Sequence, residues 1–327
     1  MRTPAIATFV LTMAAVMAAG SMQAQQPNPF FGAWNMTGVA PDTSYVYWLE
    51  ITGSGGQLAG RFLNRGGSPT PLAVVRVEND ELVFQGGQAG KPTGPEYRAR
   101  IENGQLVGRH TLPPAADAAP GASGRTVNWI GVRSPAWPAA NANGAHAYGT
   151  PVALFDGRSL DAFGVQHAGR PMGWTVVNGE AVNEKGANNL VSKQAFGDFR
   201  IEAEYKLGAE SNSGIYLRGR YELQVIDDFG KEPNVNSHMS IYGHVAPAVN
   251  ASRPVGEWQT MTTVIVGNRV TVDLNGRRVH DNAVIPAITG GALDANESAP
   301  GPIMIQGDHT GVWLRKLVVT PITTPGR

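Results

Sequence analysis

The chain has 327 residues, no cysteine, and 26 basic residues against 26 acidic ones, which leaves no formal net charge near neutral pH. The missing cysteines exclude disulfides, thiol chemistry and the lipid-acceptor cysteine of an anchored bacterial lipoprotein. Balanced charge supplies no positive field for nucleic acid or an anionic membrane surface, so a neutral ligand is expected in place of either.

Residues 1–24 combine a single positive charge at Arg2, an apolar run from Ala5 to Ala19 and small residues ahead of Gln25. This is the layout of a signal peptide cut after Ala24, and it predicts a periplasmic or secreted protein. The apolar run is short for a bilayer span and no second one follows, so no membrane anchor is expected.

From Asn28 to Arg133 the chain reads as short alternating strands, among them YVYWLEIT, QLAGRFLN, ELVFQGG, YRARIEN and TVNWIGVR, separated by Gly-Gly or Asn-Gly turns. A small β-barrel or sandwich is predicted. Gly32-Ala33-Trp34 and Arg133 resemble the glycine-x-tryptophan start and late arginine of lipocalin-like barrels, and a tryptophan plugging the end of a β-core accounts for the same residues. No active site is assigned to this domain. Residues 134–151, rich in Pro, Ala, Asn and Gly without an apolar period, read as an exposed linker.

Residues 152–322 again run as period-two strands, with Asn275-Gly276 as a tight-hairpin signal and no sustained helical period. Two packed antiparallel sheets bury this many half-apolar strands, so the chain as a whole is predicted to be all-β.

Motifs in the second domain agree in order and spacing with one family. They are ALFDGRSLDAFG (residues 153–164), GWTVVNGEAV (173–182), Phe196-Gly197-Asp198-Phe199, SNSGIYLRG (211–219), YELQVID (221–227), Ile241-Tyr242-Gly243, VGEWQTM (255–261), VDLNGRRV (272–279) and GPIMIQGDHTGVWLRKLVV (301–319). Together they resemble the bacterial 3-keto-disaccharide hydrolase family. The pattern departs from the family at Gln259, usually Asn, in Gly307-Asp308-His309, usually Asp-His directly after the glutamine, and in Leu314-Arg315-Lys316-Leu317, usually Phe-Arg-Asn-Ile. The resemblance implies a concanavalin-like jelly-roll sandwich and cleavage of glycosides already oxidised to a ketone at the third carbon of the sugar.

Alternation puts Ile215, Leu217, Leu223, Val225, Ile303 and Ile305 toward the core. Tyr216, Arg218, Glu222, Gln224 and Gln306 are then expected on the opposite face, a composition suited to binding sugar hydroxyls. A solvated face with an Arg218–Glu222 ion pair is the plain alternative. The chemistry implied by the resemblance needs a base, a group that steadies an enolate and an acid for the leaving oxygen. Glu222 is the expected base, His309 the acid or a metal ligand, and Arg218 the enolate partner. Tyr216, Gln224, Asp227, Tyr242 and Gln306 are the expected substrate-binding residues, Asp227 only if a bulge turns it to that face.

No cofactor is called for. A divalent metal is the other route to enolate stabilisation, using His238, His244 and His309 with Asp227 or Asp308, although their spacing matches no compact ligand motif. Calcium in the oxygen-rich loops at residues 226–234 or 294–298 is a further option. Glu202 and Glu204 could pair with Glu222 as in an ordinary glycosidase but also read as one exposed strand face. Trp174, Trp258 and Trp313 read as core or rim aromatics. The expected partner is a carbohydrate, with no dedicated protein partner. The reading is an exported hydrolase or lyase, against the alternative of a non-catalytic, lectin-like glycan-binding module.

Overall fold

A computed structural model describes residues 28–54, 56–114, 116–117, 122–307, 309 and 311–323. The leader expected at residues 1–24 and Asp308 lie outside the described residues. Every regular element among those described is a β-strand, and none is a helix.

The first nine strands are β1 (Gly32–Gly38), β2 (Val46–Ser54), β3 (Gln57–Asn64), β4 (Thr70–Glu78), β5 (Glu81–Gln88), β6 (Lys91–Pro92), β7 (Tyr97–Glu102), β8 (Gln105–Leu112) and β9 (Arg125–Arg133). All but the two-residue β6 pair antiparallel in a ring, with β4 joined to β5 and β9 returning to β1. The ring is a closed eight-stranded barrel, which leaves its main strands no open edge. Its inward positions carry large rings, including Trp34, Tyr47, Phe62, Phe84, Tyr97 and Trp129, so the interior is a packed core. The Arg133 guanidinium lies 3.6 Å from the centre of the Trp34 ring and donates to the carbonyls of Pro29 and Phe31. Trp34 therefore plugs the barrel and the late arginine clamps the plug.

The remaining strands are β10 (Ala147–Tyr148), β11 (Val152–Phe155), β12 (Phe163–Val165), β13 (Trp174–Val177), β14 (Glu180–Asn183), β15 (Leu190–Phe196), β16 (Phe199–Leu207), β17 (Asn212–Leu217), β18 (Tyr221–Ile226), β19 (Trp258–Val266), β20 (Arg269–Leu274), β21 (Arg277–Val284), β22 (Gly301–Ile305) and β23 (Val312–Thr323). The larger sheet runs β13-β14-β23-β16-β19-β20-β21, with β10 and β11 also on β23, and the smaller runs β12-β15-β22-β17-β18. Ile201, Tyr205, Ile265 and Leu317 from the larger sheet share one core with Ile215, Leu223, Ile303 and Ile305 from the smaller. This is the predicted jelly-roll sandwich.

The segment expected as an exposed linker is largely exposed, and it runs along the second domain. Ala142 N donates to Asn282 Oδ1 at 2.9 Å, Thr271 Oγ1 donates to Asn143 Oδ1 at 2.7 Å, and β10 adds to the end of β23. Asn143 thus satisfies polar groups of both β20 and β21, accepting from Thr271 and donating to Asp281, which composition alone could not show.

The two domains dock face to face. Val46, Trp48 and Leu63, pointing out of the barrel, join the core of the sandwich, and Trp48 meets His244 edge-on with ring centres 5.9 Å apart. Beside them the buried Glu297 accepts from Asn35 Nδ2 of the barrel at 2.7 Å and from Tyr221 of the sandwich at 2.9 Å. Burial raises the Glu297 carboxyl above the usual carboxylate range.

Burial also lowers His110 and His244 from an ordinary 6.5 to about 4, and moves His238 and His280 the same way. Between about pH 4 and 6.5 the unfolded chain therefore binds more protons than the folded one, so stability from these groups is full above that window and falls as the pH drops through it. By about pH 5 the loss is on the order of 2 kcal/mol for each of His110 and His244. His110 lies 4.4 Å from the Tyr97 ring centre and neither of its ring nitrogens has a hydrogen-bond partner. His110→Phe keeps the ring contact and removes the titration. Its denaturant midpoint is expected to fall less than wild type between pH 7.5 and 5, and an identical fall would contradict the assignment.

Candidate active site

The site is built on the hairpin of β17 and β18. Register pairs Tyr216 with Glu222 and Gly214 with Gln224, and β22 lies on the other side of β17. Ile215, Leu217, Leu223 and Val225 enter the shared core, so Tyr216, Glu222 and Gln224 face the other way. The Tyr216 hydroxyl lies 2.8 Å from Glu222 Oε2 and 2.9 Å from the Gly290 carbonyl. Glu222 N donates to Thr289 Oγ1 at 2.9 Å, which ties the strand to the 289–291 loop. Both Tyr216 and Glu222 are buried, because loops cover this face of the small sheet.

Over this hairpin lies a cavity of about 390 Å³, within the range of small-ligand sites. Tyr216, Glu222 and Gln224 face it from the sheet, Gln306 and His309 from the segment after β22, and Tyr242 from the long loop after β18. Gln166, His167, Asn189 and Asn212 also line it, as do Gly290 and Gly291. Two further residues come from the barrel: Gly66 and Gly67, at the tip of the β3–β4 hairpin. Asn189 donates to Gln166 Oε1 at 2.6 Å and accepts from Gly307 N at 2.8 Å, which pins the two neighbouring walls together. Gln306 Oε1 is buried with no hydrogen-bond partner, an acceptor that a ligand hydroxyl can satisfy. Burial and the charge of Glu222 raise the Tyr242 hydroxyl above its usual value, so it stays a proton donor. A second cleft of about 490 Å³, lined by Arg133, Trp137 and Arg269, has no carboxylate or histidine among its lining residues.

Six of the expected residues therefore meet in one cavity: Glu222, His309, Tyr216, Gln224, Tyr242 and Gln306. Two do not. Arg218 follows the end of β17 with φ of 54°, so strand alternation no longer applies to it. Its buried guanidinium donates to the carbonyls of Gly197 and Gly267 and to Asp198 Oδ1, each at 2.8 Å. It anchors the Phe196–Phe199 turn and forms neither the expected enolate partner nor the Glu222 ion pair. Asp227 lies just past β18, outside the cavity, where its Oδ2 accepts from Glu210 N at 3.0 Å.

The other expectations resolve on similar grounds. His238 is buried between Tyr205, 2.7 Å away, and the Ile226 backbone, while His244 Nε2 lies 3.0 Å from the Ile288 carbonyl. Among the described residues no group of three or more His, Asp or Glu side chains comes together to hold a metal. In the loops considered for calcium, Asp294 pairs with Arg220 at 2.6 Å, Glu297 serves the domain contact, and Asp228 accepts from His238 N. Glu202 and Glu204 lie on the larger sheet, facing Lys316 and Arg315, and not beside Glu222. Trp174 is buried in the core, and Trp258 and Trp313 flank the Lys206 amine on the outer face. Gln259, a departure from the family pattern, is buried and bonded to Arg253 and Asn275, away from the cavity.

Gly214 makes the arrangement of Glu222 possible, since a Cβ there would lie 2.8 Å from Glu222 Cγ and collide with its carboxylate. In Gly214→Ala the Tyr216–Glu222 contact is expected to open beyond hydrogen-bonding distance in a crystal structure. A contact still near 2.8 Å would contradict this packing.

The family profile of the 3-keto-alpha-glucoside-1,2-lyase-like domain matches residues 150–320, just over half of the chain. One similar crystal structure is of a Parabacteroides distasonis protein provisionally called a glycosyl hydrolase, 29% identical, covering 52% of this chain and 82% of that one with a TM-score of 0.45. Another from the same organism and with the same description is 21% identical and covers 53% of this chain and all of that one, with a TM-score of 0.42. A carbohydrate-binding module of Bacillus subtilis, CBM66, is 12% identical and covers 50% of this chain and 94% of that one, with a TM-score of 0.29. Comparison with curated proteins returns no match. With residues 150–320 matched, the chain belongs to the 3-keto-alpha-glucoside-1,2-lyase-like domain family and is a carbohydrate-active enzyme that acts on glycosides.

Proposed function

We propose that the enzyme cleaves the glycosidic bond of 3-keto-glycosides, and that Glu222 is its base. The observation that carries the reading is a buried carboxylate facing a sugar-sized polar cavity, with the Tyr216 hydroxyl 2.8 Å from it. Burying a carboxylate is costly unless it is hydrogen-bonded, and a carboxylate held in this way beside a ligand cavity suits a general base.

The ketone at the third carbon acidifies the hydrogen on the second. The Glu222 carboxylate removes that proton, the electron pair moves into the enolate, and the bond from the first carbon to the leaving oxygen breaks as that oxygen takes a proton. Water then adds at the first carbon and a proton returns to the second, so that the net change is hydrolysis. Tyr216 orients the carboxylate. Tyr242, kept protonated, offers a donor to the developing enolate oxygen, the part first expected of Arg218. His309, exposed at the rim, is placed to protonate the departing oxygen, which leaves toward solvent. Gln224 and Gln306 hold ring hydroxyls through their carboxamides. The same proposal puts the enzyme in the periplasm or outside the cell, in view of the apolar run behind Arg2.

In Glu222→Gln, kcat on a 3-keto-glucoside is expected to fall about 10²- to 10⁴-fold, with KM changed far less. The unoxidised parent glycoside is expected not to react with either protein. Release of the leaving group, followed in the wild type and the variant, checks both. Wild-type kcat in Glu222→Gln would remove Glu222 from the mechanism, and sugar binding without turnover of either substrate would leave a glycan-binding module as the better account.

A further inference from the structure

The β3–β4 hairpin of the barrel reaches the cavity. Gly66 and Gly67 line it together with Glu222, Tyr216, Gly290 and Gly291. We infer that this hairpin closes the Glu222 end of the cleft and restricts the enzyme to a sugar unit at the end of a glycoside, excluding units inside a longer chain. The inference rests on the function proposed above.

Topology gives the first support. The smaller sheet ends at β18, the strand that carries Glu222 and Gln224, and residues 239–242 run along its outer edge, with Gln224 N donating to the Ser240 carbonyl and Tyr242 N to the Glu222 carbonyl, each at 3.1 Å. The barrel hairpin abuts the end of that segment at Gly243. It is bolted in place: Gly291 N donates to the Arg65 carbonyl at 2.8 Å, and Ser68 Oγ donates to Asn236 Oδ1 at 2.8 Å.

The second domain is shaped to receive it. A Cβ at Gly290 would collide with the backbone of Gly66 and Gly67, and one at Gly243 would lie 2.9 Å from both Ser68 and Pro69. The first is a backbone-to-backbone approach that only glycine allows, and the second sets the Gly243 backbone against Ser68 Cα and Cβ and the Pro69 ring. The Asn35–Glu297 bond and the burial of Trp48 in the sandwich core keep the barrel from swinging away. At the opposite side of the cavity His167 and His309 are exposed, which leaves that side for the leaving group and whatever is attached to it. A hairpin at the closed end meets the outward positions of the sugar being attacked. A terminal unit fits, whereas a unit extended there by another sugar runs into the hairpin.

The test uses the full chain and two variants. In one, residues 64–68 are replaced by Asn-Gly, a two-residue turn that leaves Leu63 opposite Pro69 and so keeps the antiparallel register of β3 and β4. The other is Gly66→Trp, which adds bulk where a Cβ meets no atom within 4 Å and keeps the inference testable should the shortened hairpin fail to fold. The substrates are a 3-keto-glucoside and the same glucoside carrying a further glucose on the 4-oxygen of the oxidised unit. Wild type is expected to prefer the first by at least about 100-fold in kcat/KM, the shortened hairpin to erode that preference at least about tenfold, and Gly66→Trp to raise KM for the first at least about tenfold. Unchanged preference and KM in both variants would overturn the inference. Should wild type turn over neither keto-sugar, the proposed function fails by itself. Calorimetric binding of maltose and maltotriose then decides the hairpin's part: a gain for maltotriose on shortening supports it, and equal affinities in all three proteins overturn it.

Discussion

Tyr216 and Glu222 stand opposite one another across the β17–β18 ladder, and the position of every other group in the cavity is measured from that pair. The pair is held by what lies beneath it. Ile215, Leu217, Leu223 and Val225 are buried in the sandwich core, each worth about 1.5–3 kcal/mol by burial. A slip of one residue in either strand would exchange these side chains with the polar ones, so the core enforces the register that the site requires. Because loops also cover the polar face, Glu222 is removed from water and depends on its hydrogen bonds. A buried carboxylate and a specified register are therefore two results of the same packing.

The barrel extends this constraint. Its outward-facing Trp48 becomes part of the core of the neighbouring domain, and the buried Glu297 joins Asn35 on one side to Tyr221 on the other. Tyr221 is the first residue of β18 and sits directly before Glu222. The contact that fixes the barrel thus touches the strand that carries the carboxylate. With the hairpin at Gly66 and Gly67 lining the same cavity, the two domains form one site from both sides.

Strand alternation made much of this legible before any coordinates. It placed Tyr216, Glu222 and Gln224 on one face, and the order of motifs supplied the jelly roll around them. It failed where the chain leaves the strand: Arg218 has a positive φ and turns back toward Asp198, and Asp227 lies beyond the end of β18. Loop residues such as Gln166, His167, Asn189 and Asn212 have no periodicity, so no sequence pattern marked them as neighbours of Glu222. His238 and His244 were legible as candidate ligands by residue type only, and in the fold each is taken up by hydrogen bonds to nearby structure. The part of the barrel was hidden for a different reason. Docking of two domains is a long-range event, and its local trace was two glycines in a turn, which any hairpin could carry. The contacts of Asn143 with Thr271 and Asp281 were hidden in the same way, since an asparagine satisfied by a neighbouring domain reads like one satisfied by water.

The most direct test of the account is to run the reaction on a 3-keto-glucoside in heavy water and read the second carbon of the released sugar at early times. Proton removal from that carbon, followed by addition of water, predicts deuterium there at a level well above an enzyme-free control, and much slower release in the Glu222→Gln protein. Product that keeps its original hydrogen at the second carbon would mean direct displacement at the first carbon, and would contradict the role given to Glu222.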